Sequence, residues 1–374
     1  MSEIIDIAII GAGVTGLAVA SEVARKGRDV YLLEKNDTFG QEQSSRSSEV
    51  IHAGIYYSPD SLKTRFCIEG NRLLYEMGGK YSIPCIRCGK IFIAGDNEEA
   101  EMLEDLYYNG INNGLPLKML SQAELHKKEP YVKGLAAFFS PTSGILDSHA
   151  LLRYFVLKAK ENEAKIVYRA EVTGIEKISD GYRLRVVYPD GEDFLDTRIV
   201  INCAGIYSDR IAELAGIDID SAGYRLFFTK GEFYSVGGGK NRMINTLVYP
   251  TPQNLGPGIH VCFDVEKRMR LGPLFNYIDQ VDYSVDESNR TIFEESTIMK
   301  SLPFITPADI APESSGIMGV LYGHGQGVND FIVQHEDSRG LPGFINLIGI
   351  DSPGLTASPA TGRYVAEMVD EILN

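Results

Sequence analysis

"IIDIAIIGAGVTGLAVASEVARKGRDVYLLE" occupies residues 4–34, and its reading decides the fold. Residues 4–10 are an apolar run, the pattern of a strand buried on both faces of a parallel sheet. "GAGVTG" (Gly11 to Gly16) follows at once, then a helical stretch, "LAVASEVARKG", closed by Gly27, then a second strand, "DVYLLE", ending at Glu34. Each position has a physical reason. Gly11 permits the tight turn, Gly13 lets backbone N–H groups approach a pyrophosphate, and Gly16 allows the helix to pack closely on the strand. Val14 and Thr15 open the helix, whose positive end favours phosphate charge. Glu34 stands where a carboxylate accepts hydrogen bonds from an adenine ribose, with Lys35 beside it. The glycine motif alone is weak, because a glycine-rich turn needs no ligand. With strand, helix, strand and terminal acid all in place, the spacing predicts a dinucleotide site.

The bulk numbers restrict what such a chain does. At 374 residues and 44% hydrophobic content it can bury a large core and is long enough for two domains. A net charge of −15 disfavours nucleic acid as a partner and makes each buried cation informative. Met1 through Glu3 lead straight into the first strand, without a basic segment followed by a cleavable apolar one, and no window approaches membrane-spanning length. A cytoplasmic enzyme is expected, without membrane association. Five cysteines (Cys67, Cys85, Cys88, Cys203 and Cys262) argue against a disulfide framework. Cys85 and Cys88 form a "CIRC" pair without a second pair at similar spacing, so no metal site is expected and a redox pair is the minority reading.

Further along, residues 62–78 have helical spacing, "GKIFIAG" reads as a strand, and residues 98–113 form an acidic helix. "SQAEL" opens another helix with a capping box between Ser121 and Glu124. "SHALLRYFVLKAKEN" is a helix, "KIVYRAEVTGIEKI" a strand, and turns at Asp180-Gly181 and Asp190-Gly191 make hairpins. "RIVINCAG" is a buried strand and "SDRIAELAG" a short helix capped by Ser208 or Asp209. Residues 219 to about 335 are β-rich and tyrosine-rich. A last strand, glycine loop and helix follow. The chain therefore leaves its nucleotide domain and returns to it twice.

Between these segments "SSRSSEVIHAGIYY" (residues 44–57) follows the phosphate cradle with polar residues, a histidine, a glycine and two tyrosines. Together with "GAGVTG", "RCGKIFIA", "SGILD", "KGEFY", "YPTPQNLGPGIHVCFD" and "GIDSPGLTASPA", it resembles the L-2-hydroxyglutarate dehydrogenase/oxidase family, within the D-amino-acid-oxidase-like flavoproteins. The resemblance covers nearly the whole chain. It implies an α/β fold, α+β overall, in which a Rossmann-like FAD-binding domain (1–80, 143–218 and 336–374) is interleaved with an antiparallel-sheet substrate domain (81–142 and 219–335). The flavin ring is expected between them. It also implies that Ser44, Ser45, Arg46 and Ser47 follow the pyrophosphate and flavin, and that Val172, Ala204 and Gly205 flank the adenine and pyrophosphate. Gly349, Gly354, Leu355 and Thr356 bring backbone N–H groups and a helix amino terminus to the flavin's pyrimidine side. Two departures stand out. The region near 283–303 is compact where longer members carry a helical segment, and Met318 in "SGIMGV" occupies the place where relatives carry a carboxylate-binding arginine.

His52, in the apolar "VIHAGI", and His260, in "GIHVCFD", are equal candidates for the base that takes a hydroxyl proton, since imidazole titrates near working pH. Either also reads as a satisfied core histidine. His324 comes third. Lys230 in "FTKGEF" is the expected cation for a substrate carboxylate or the flavin edge, against the plainer reading of a strand-end lysine. Tyr56, Tyr57 and Tyr249 are candidate donors to substrate oxygens or packing residues, and Arg270 is a candidate for a second carboxylate, as is Arg65. The expected reaction is FAD-dependent hydride removal from a small 2-hydroxy acid, with L-2-hydroxyglutarate the foremost substrate. Quinone, a carrier protein or oxygen would be the electron acceptor. An amine or amino-acid oxidase, a glycerol-3-phosphate-type dehydrogenase and a flavin-binding protein without turnover are the alternatives.

Overall fold

The computed structural model describes residues 4–25, 27–252, 258–323 and 329–373. His324 lies outside the described residues. The chain divides into two compact units: residues 1–45, 148–228 and 318–374 form the first, and residues 46–147 and 229–317 the second. The first crossing therefore falls at 45/46, whereas the sequence suggests 80/81. The helix Leu62–Tyr81 belongs to the second unit because Asn71 donates to the His52 and Thr142 carbonyls and Tyr75 to the Thr142 carbonyl. Residues 318–335 join the first unit, where strand Ile332–His335 pairs with Phe344–Ile348.

In the first unit, β1 (Ile5–Ile10), α1 (Val14–Val23) and β2 (Val30–Glu34) form the nucleus of a mixed eight-stranded sheet. β1 runs parallel to β2 on one side and to Gly191–Asn202 on the other, and Phe344–Ile348 extends the parallel set. These strands lack polar alternation because helices cover them. The "KIVYRAEVTGIEKI" segment is two strands rather than one. Lys165–Tyr168 pairs parallel with β2, Arg169 takes a positive φ of 56°, and Glu171–Ile178 turns away to pair antiparallel with Gly181–Tyr188. The predicted hairpins form, with Ile178 opposite Gly181 and Tyr188 opposite Gly191. The short helix Ser208–Leu214 is capped by Tyr207 without a side-chain bond, not by Ser208 or Asp209. Asp209 is drawn off to the Arg210 and Leu226 N–H groups.

The second unit is built on another eight-stranded sheet, in which Lys90–Ala94, Leu247–Pro250, His260–Phe263 and Met269–Ile278 lie side by side in that order. The order explains why residues far apart in sequence share one surface. A three-stranded sheet of Val50–Ile51, Gly144–Leu146 and Cys85–Ile86 carries the start of the "VIHAGIYY" segment. The predicted capping box forms, with the Ser121 hydroxyl accepting from the Glu124 N–H and the Glu124 carboxylate accepting from the Ser121 N–H. Among the described residues, no helix is long and apolar enough to cross a membrane.

Candidate active site

The first unit carries a cradle at the junction of β1 and α1. Gly11 has φ +102°, and a side chain there would run into the Cys203 carbonyl at 2.5 Å. A Cβ on Gly16 would stand 1.9 Å from the Gly11 carbonyl oxygen, so only glycine lets the first turn of α1 close on the strand end. Gly13 precedes the helix in extended conformation without a side-chain cap, and a Cβ there would meet only the Ser44 hydroxyl, at 3.1 Å. Glu34 is buried at the end of β2, its two carboxylate oxygens accepting from the Ala12 N–H (2.8 Å) and the Asn36 N–H (2.9 Å). Both oxygens keep a second acceptor site for ribose hydroxyls. An uncapped helix amino terminus, glycine in place of a side chain before it, and an acid on the neighbouring strand fit a dinucleotide.

Other expected cofactor residues gather in the same unit. The Ser44 hydroxyl accepts from the Val14 N–H at 2.9 Å, tying the polar stretch to the first turn of α1. Thr15, in that turn, is half-exposed. Lys35 lies 3.6 Å over the Tyr207 ring and pairs with Glu42. The Ala204 N–H donates to Asn202, and Gly205 at φ +57° has open space where a side chain would be. Val172 is buried beside a bulge opposite Val186. Gly349 takes φ +67°, and Gly354 begins the helix Gly354–Leu373 with Leu355 and Thr356 in its first turn. Ser45 donates to the Glu42 carbonyl. In the second unit, Ser47 accepts from the Glu49 N–H, and Arg46 stacks its guanidinium on Tyr283 at 3.8 Å.

The second unit brings His52 and His260 into one cluster with Tyr249, Tyr56 and a residue the sequence reading passed over, Lys90. Strand register puts it together. Tyr249 is flanked by Phe92 on one neighbouring strand and by His260 on the other, while Lys90 lies opposite Leu247, two positions before Phe92. All these side chains therefore leave the same face of the sheet. The His260 imidazole stacks on Tyr249 with centroids 3.6 Å apart, and the Lys90 ammonium lies 3.6 Å from the centre of the same phenol ring. Tyr56 packs edge-on to Phe92 at 5.7 Å. Lys90, Tyr249 and His260 are 1%, 0% and 2% exposed.

What surrounds these groups fixes their protonation. The His260 Nδ1 lies 2.8 Å from the Gly258 carbonyl oxygen, which can only accept, so Nδ1 carries the proton and Nε2 presents a lone pair. That Nε2 is buried without a hydrogen-bond partner among the described residues, as are the Tyr56 and Tyr249 hydroxyls. Burial, reinforced by the Lys90 charge, lowers His260 to about 3. Burial, then Lys90, then His260 hold His52 well below the ordinary histidine range. Both imidazoles are neutral at pH 7. Burial lowers Lys90 itself to about 7, with the thiols of Cys67, Cys88 and Cys262 acting in the opposite direction. The five cysteines are free thiols.

Lys230 is not brought to the histidines. Its ammonium pairs with Asp282 at 2.9 Å and Glu232 at 3.5 Å. On the same strand Phe233 faces the Arg270 guanidinium, so strand alternation directs Lys230 and Glu232 to the opposite face. Arg270 does share the His260 face, because it lies opposite Cys262 in the register that sets His260 opposite Gly272. Among the described residues its Nε and Nη2 are buried without hydrogen-bond partners, and it forms a long ion pair with Glu313, 4.0 Å from Nε. Tyr57 stacks edge-on to Tyr56 at 6.4 Å, with Lys63 5.6 Å over its ring. Met318 is half-buried near the end of strand Ile310–Val320. Lys90 could have been found in the sequence as the lone charge at the start of an apolar strand.

The profile of the family described as "FAD dependent oxidoreductase" matches residues 6–368. The chain is similar to the mitochondrial L-2-hydroxyglutarate dehydrogenase of Arabidopsis thaliana, with 34% identity over 97% of this chain and 83% of that protein. Its identity to the Homo sapiens protein of the same name is 30%, over 98% and 89%. Among solved structures, L-alpha-glycerophosphate oxidase from Mycoplasma pneumoniae, with FAD bound, superposes with a TM-score of 0.86 at 27% identity, covering 98% of this chain and 95% of that one.

Proposed function

The chain belongs to the family of FAD-dependent oxidoreductases, and on that premise we propose that it oxidises a small 2-hydroxy acid, L-2-hydroxyglutarate, to the 2-oxo acid. The observation that carries this reading is the second unit's cluster, in which a neutral imidazole with an unengaged Nε2 stands among unpartnered tyrosine hydroxyls. Oxidation of a secondary alcohol removes a proton from oxygen and a hydride from carbon. Bound FAD supplies the hydride acceptor. The protein's own task is then to take the proton, orient the alcohol and hold the acid groups.

The histidine pair takes the hydroxyl proton. A base that is neutral at pH 7 accepts it without first having to lose one, and a positioned base of this kind contributes roughly 10²–10⁴ in rate. His260 presents a defined lone pair, and His52 lies within its electrostatic reach. The Tyr249 and Tyr56 hydroxyls are available to donate to substrate oxygens. Arg270, whose buried Nε and Nη2 make no hydrogen bond to any described residue and whose ion pair with Glu313 is long at 4.0 Å, receives the second carboxylate of the dicarboxylic substrate, while Lys230 is engaged by Asp282. The cradle residues from Gly11 to Gly16, with Glu34 and Ser44, hold the adenylate half of FAD. Electrons leave through a second substrate: a quinone, a carrier protein or oxygen. Five free thiols fit a reducing compartment such as the cytoplasm.

The test is an anaerobic screen in which the yellow holoenzyme meets 2-hydroxy acids, amino acids and glycerol phosphate one at a time. Loss of the oxidised flavin band with L-2-hydroxyglutarate is expected. Bleaching by glycerol 3-phosphate alone would favour the second reading, to which the glycerophosphate oxidase likeness points. Bleaching by an amino acid alone would favour an amine oxidase.

A further inference from the structure

Resting on the 2-hydroxy-acid reading, we propose that Lys90 is the substrate-anchoring cation of this site, receiving the carboxylate next to the reacting carbon. A lysine at the start of a buried strand needs an account. Lys90 is 1% exposed, its ammonium lies against the Tyr249 ring, and no hydrogen bond or ion pair joins it to any described residue. Among the described residues, the titratable groups facing it are the Tyr249 phenol, three thiols (Cys67 from the helix Leu62–Tyr81, Cys88 from the approach to its own strand, and Cys262 from the strand bearing His260) and the neutral His52 and His260. No carboxylate is among them.

A buried ammonium without a counter-charge is costly, and burial accordingly favours the uncharged amine, a cost that a methionine of the same length would not carry. Lys230 shows the structural alternative within the same sheet, where a buried lysine is answered by Asp282 and Glu232. At Lys90 that answer is missing. The surrounding polar atoms, the Tyr249 and Tyr56 hydroxyls, can donate, and His260 Nε2 awaits a proton. An anion bearing a hydroxyl supplies both: a carboxylate for the ammonium and phenols, and an O–H for the imidazole. The same ammonium helps keep the two histidines neutral, so anchoring and proton acceptance reinforce each other.

The experiment is titration calorimetry of the FAD-loaded enzyme with glutarate, which carries the carboxylates but has no hydroxyl to oxidise. Measurements run from pH 6.5 to 9 in buffers of differing ionisation enthalpy. Because Lys90 titrates near 7 in the free protein and must be charged to hold the anion, wild type should take up protons on binding. Its affinity should fall by about tenfold per pH unit above that point. Lys90→Met should weaken glutarate by roughly 30-fold or more. The variant should abolish the proton uptake and, without ligand, melt at or above the wild-type temperature, which a structural lysine would not allow. Undiminished affinity in the variant, a lowered melting temperature with affinity retained, no glutarate binding by wild type, or binding without proton uptake would each overturn the assignment. If Lys90→Met does not fold, Lys90→Gln, which keeps the length and removes the charge, carries the same comparison of affinity and proton uptake. Failure of L-2-hydroxyglutarate to bleach the flavin while glutarate binds as described would sink the reaction and leave the anchor standing.

Discussion

His260 stacks on Tyr249 with ring centroids 3.6 Å apart and planes inclined by 22°. Adjacent strands in register create that contact, and the Gly258 carbonyl fixes which face of the imidazole's chemistry is left over. A ring pinned by stacking on one side and by a backbone acceptor at Nδ1 cannot turn to offer its other nitrogen, so Nε2 is aimed before any substrate arrives.

His52→Ala and His260→Ala are therefore expected to lower kcat, with the variant that removes the base losing roughly 10²–10⁴-fold. Flavin content should stay near wild type, because the cradle residues lie in the other compact unit. Rapid-mixing flavin reduction and the ratio of flavin to protein absorbance measure the two quantities separately. Unchanged reduction rates in both variants would refute the histidine pair as the proton acceptor.

Tyr249→Phe separates packing from chemistry. It keeps the ring under His260 and Lys90 and deletes only a hydroxyl that is buried without a partner among the described residues. Thermal stability should hold or rise slightly, because an unpaired buried polar group is removed. KM should rise by about 5- to 30-fold if the hydroxyl donates to bound substrate, corresponding to about 1–2 kcal/mol. Steady-state kinetics beside a melting curve decides the matter, and a lower melting temperature with unchanged KM would make the hydroxyl structural.

The cradle makes a sharper distinction. Gly13→Ala places a methyl where only the Ser44 hydroxyl is close, so the apoprotein should lose little stability while FAD affinity falls at least tenfold, since phosphate and methyl compete for one space. Gly16→Ala sets a Cβ 1.9 Å from the Gly11 carbonyl and should disrupt the turn itself. Flavin titration of each refolded apoprotein, with circular dichroism alongside, would show the two patterns. Equal FAD affinity in Gly13→Ala and wild type would contradict the cradle assignment.

The first unit was legible in the sequence because its determinants are local. A parallel strand, three spaced glycines and Glu34 lie within one stretch of chain, and the hairpin turns announce themselves through Asp-Gly pairs. The second unit's surface was not, because its determinants are strand order and register. Nothing in "GKIFIAG" says that its lysine will lie two strands from a histidine 170 positions later, and nothing in "FTKGEF" says which face Lys230 takes. Lys230 was the natural expectation from residue type alone. Asp282 and Glu232, distant or inconspicuous in sequence, are what engage it.

Lys230→Met tests that contrast. It leaves the buried Glu232 carboxylate without its nearby cation, although Glu232 keeps hydrogen bonds from the Asp286 N–H and Asn289. Removing one partner of a buried pair costs about 3–5 kcal/mol, and these remaining bonds place the expected loss nearer the lower figure. KM for the hydroxy acid should not move. Denaturant melts and steady-state kinetics on one preparation check both halves. A rise in KM without loss of stability would return Lys230 to the substrate site.

Arg270→Met should alter selectivity more than rate. The guanidinium shares the His260 face, and its buried Nε and Nη2 await acceptors. A substrate with two carboxylates gains from it and one with a single carboxylate does not. Wild type should therefore prefer L-2-hydroxyglutarate over 2-hydroxybutyrate in kcat/KM by a margin that shrinks roughly 30-fold or more in the variant, the expected effect of losing one charged hydrogen-bonded contact. The loss should fall on the dicarboxylate's KM, because an interaction remote from the reacting carbon binds ground and transition states alike. Equal losses for both substrates would mean that Arg270 supports the sheet rather than the second carboxylate, with Glu313 as its structural partner.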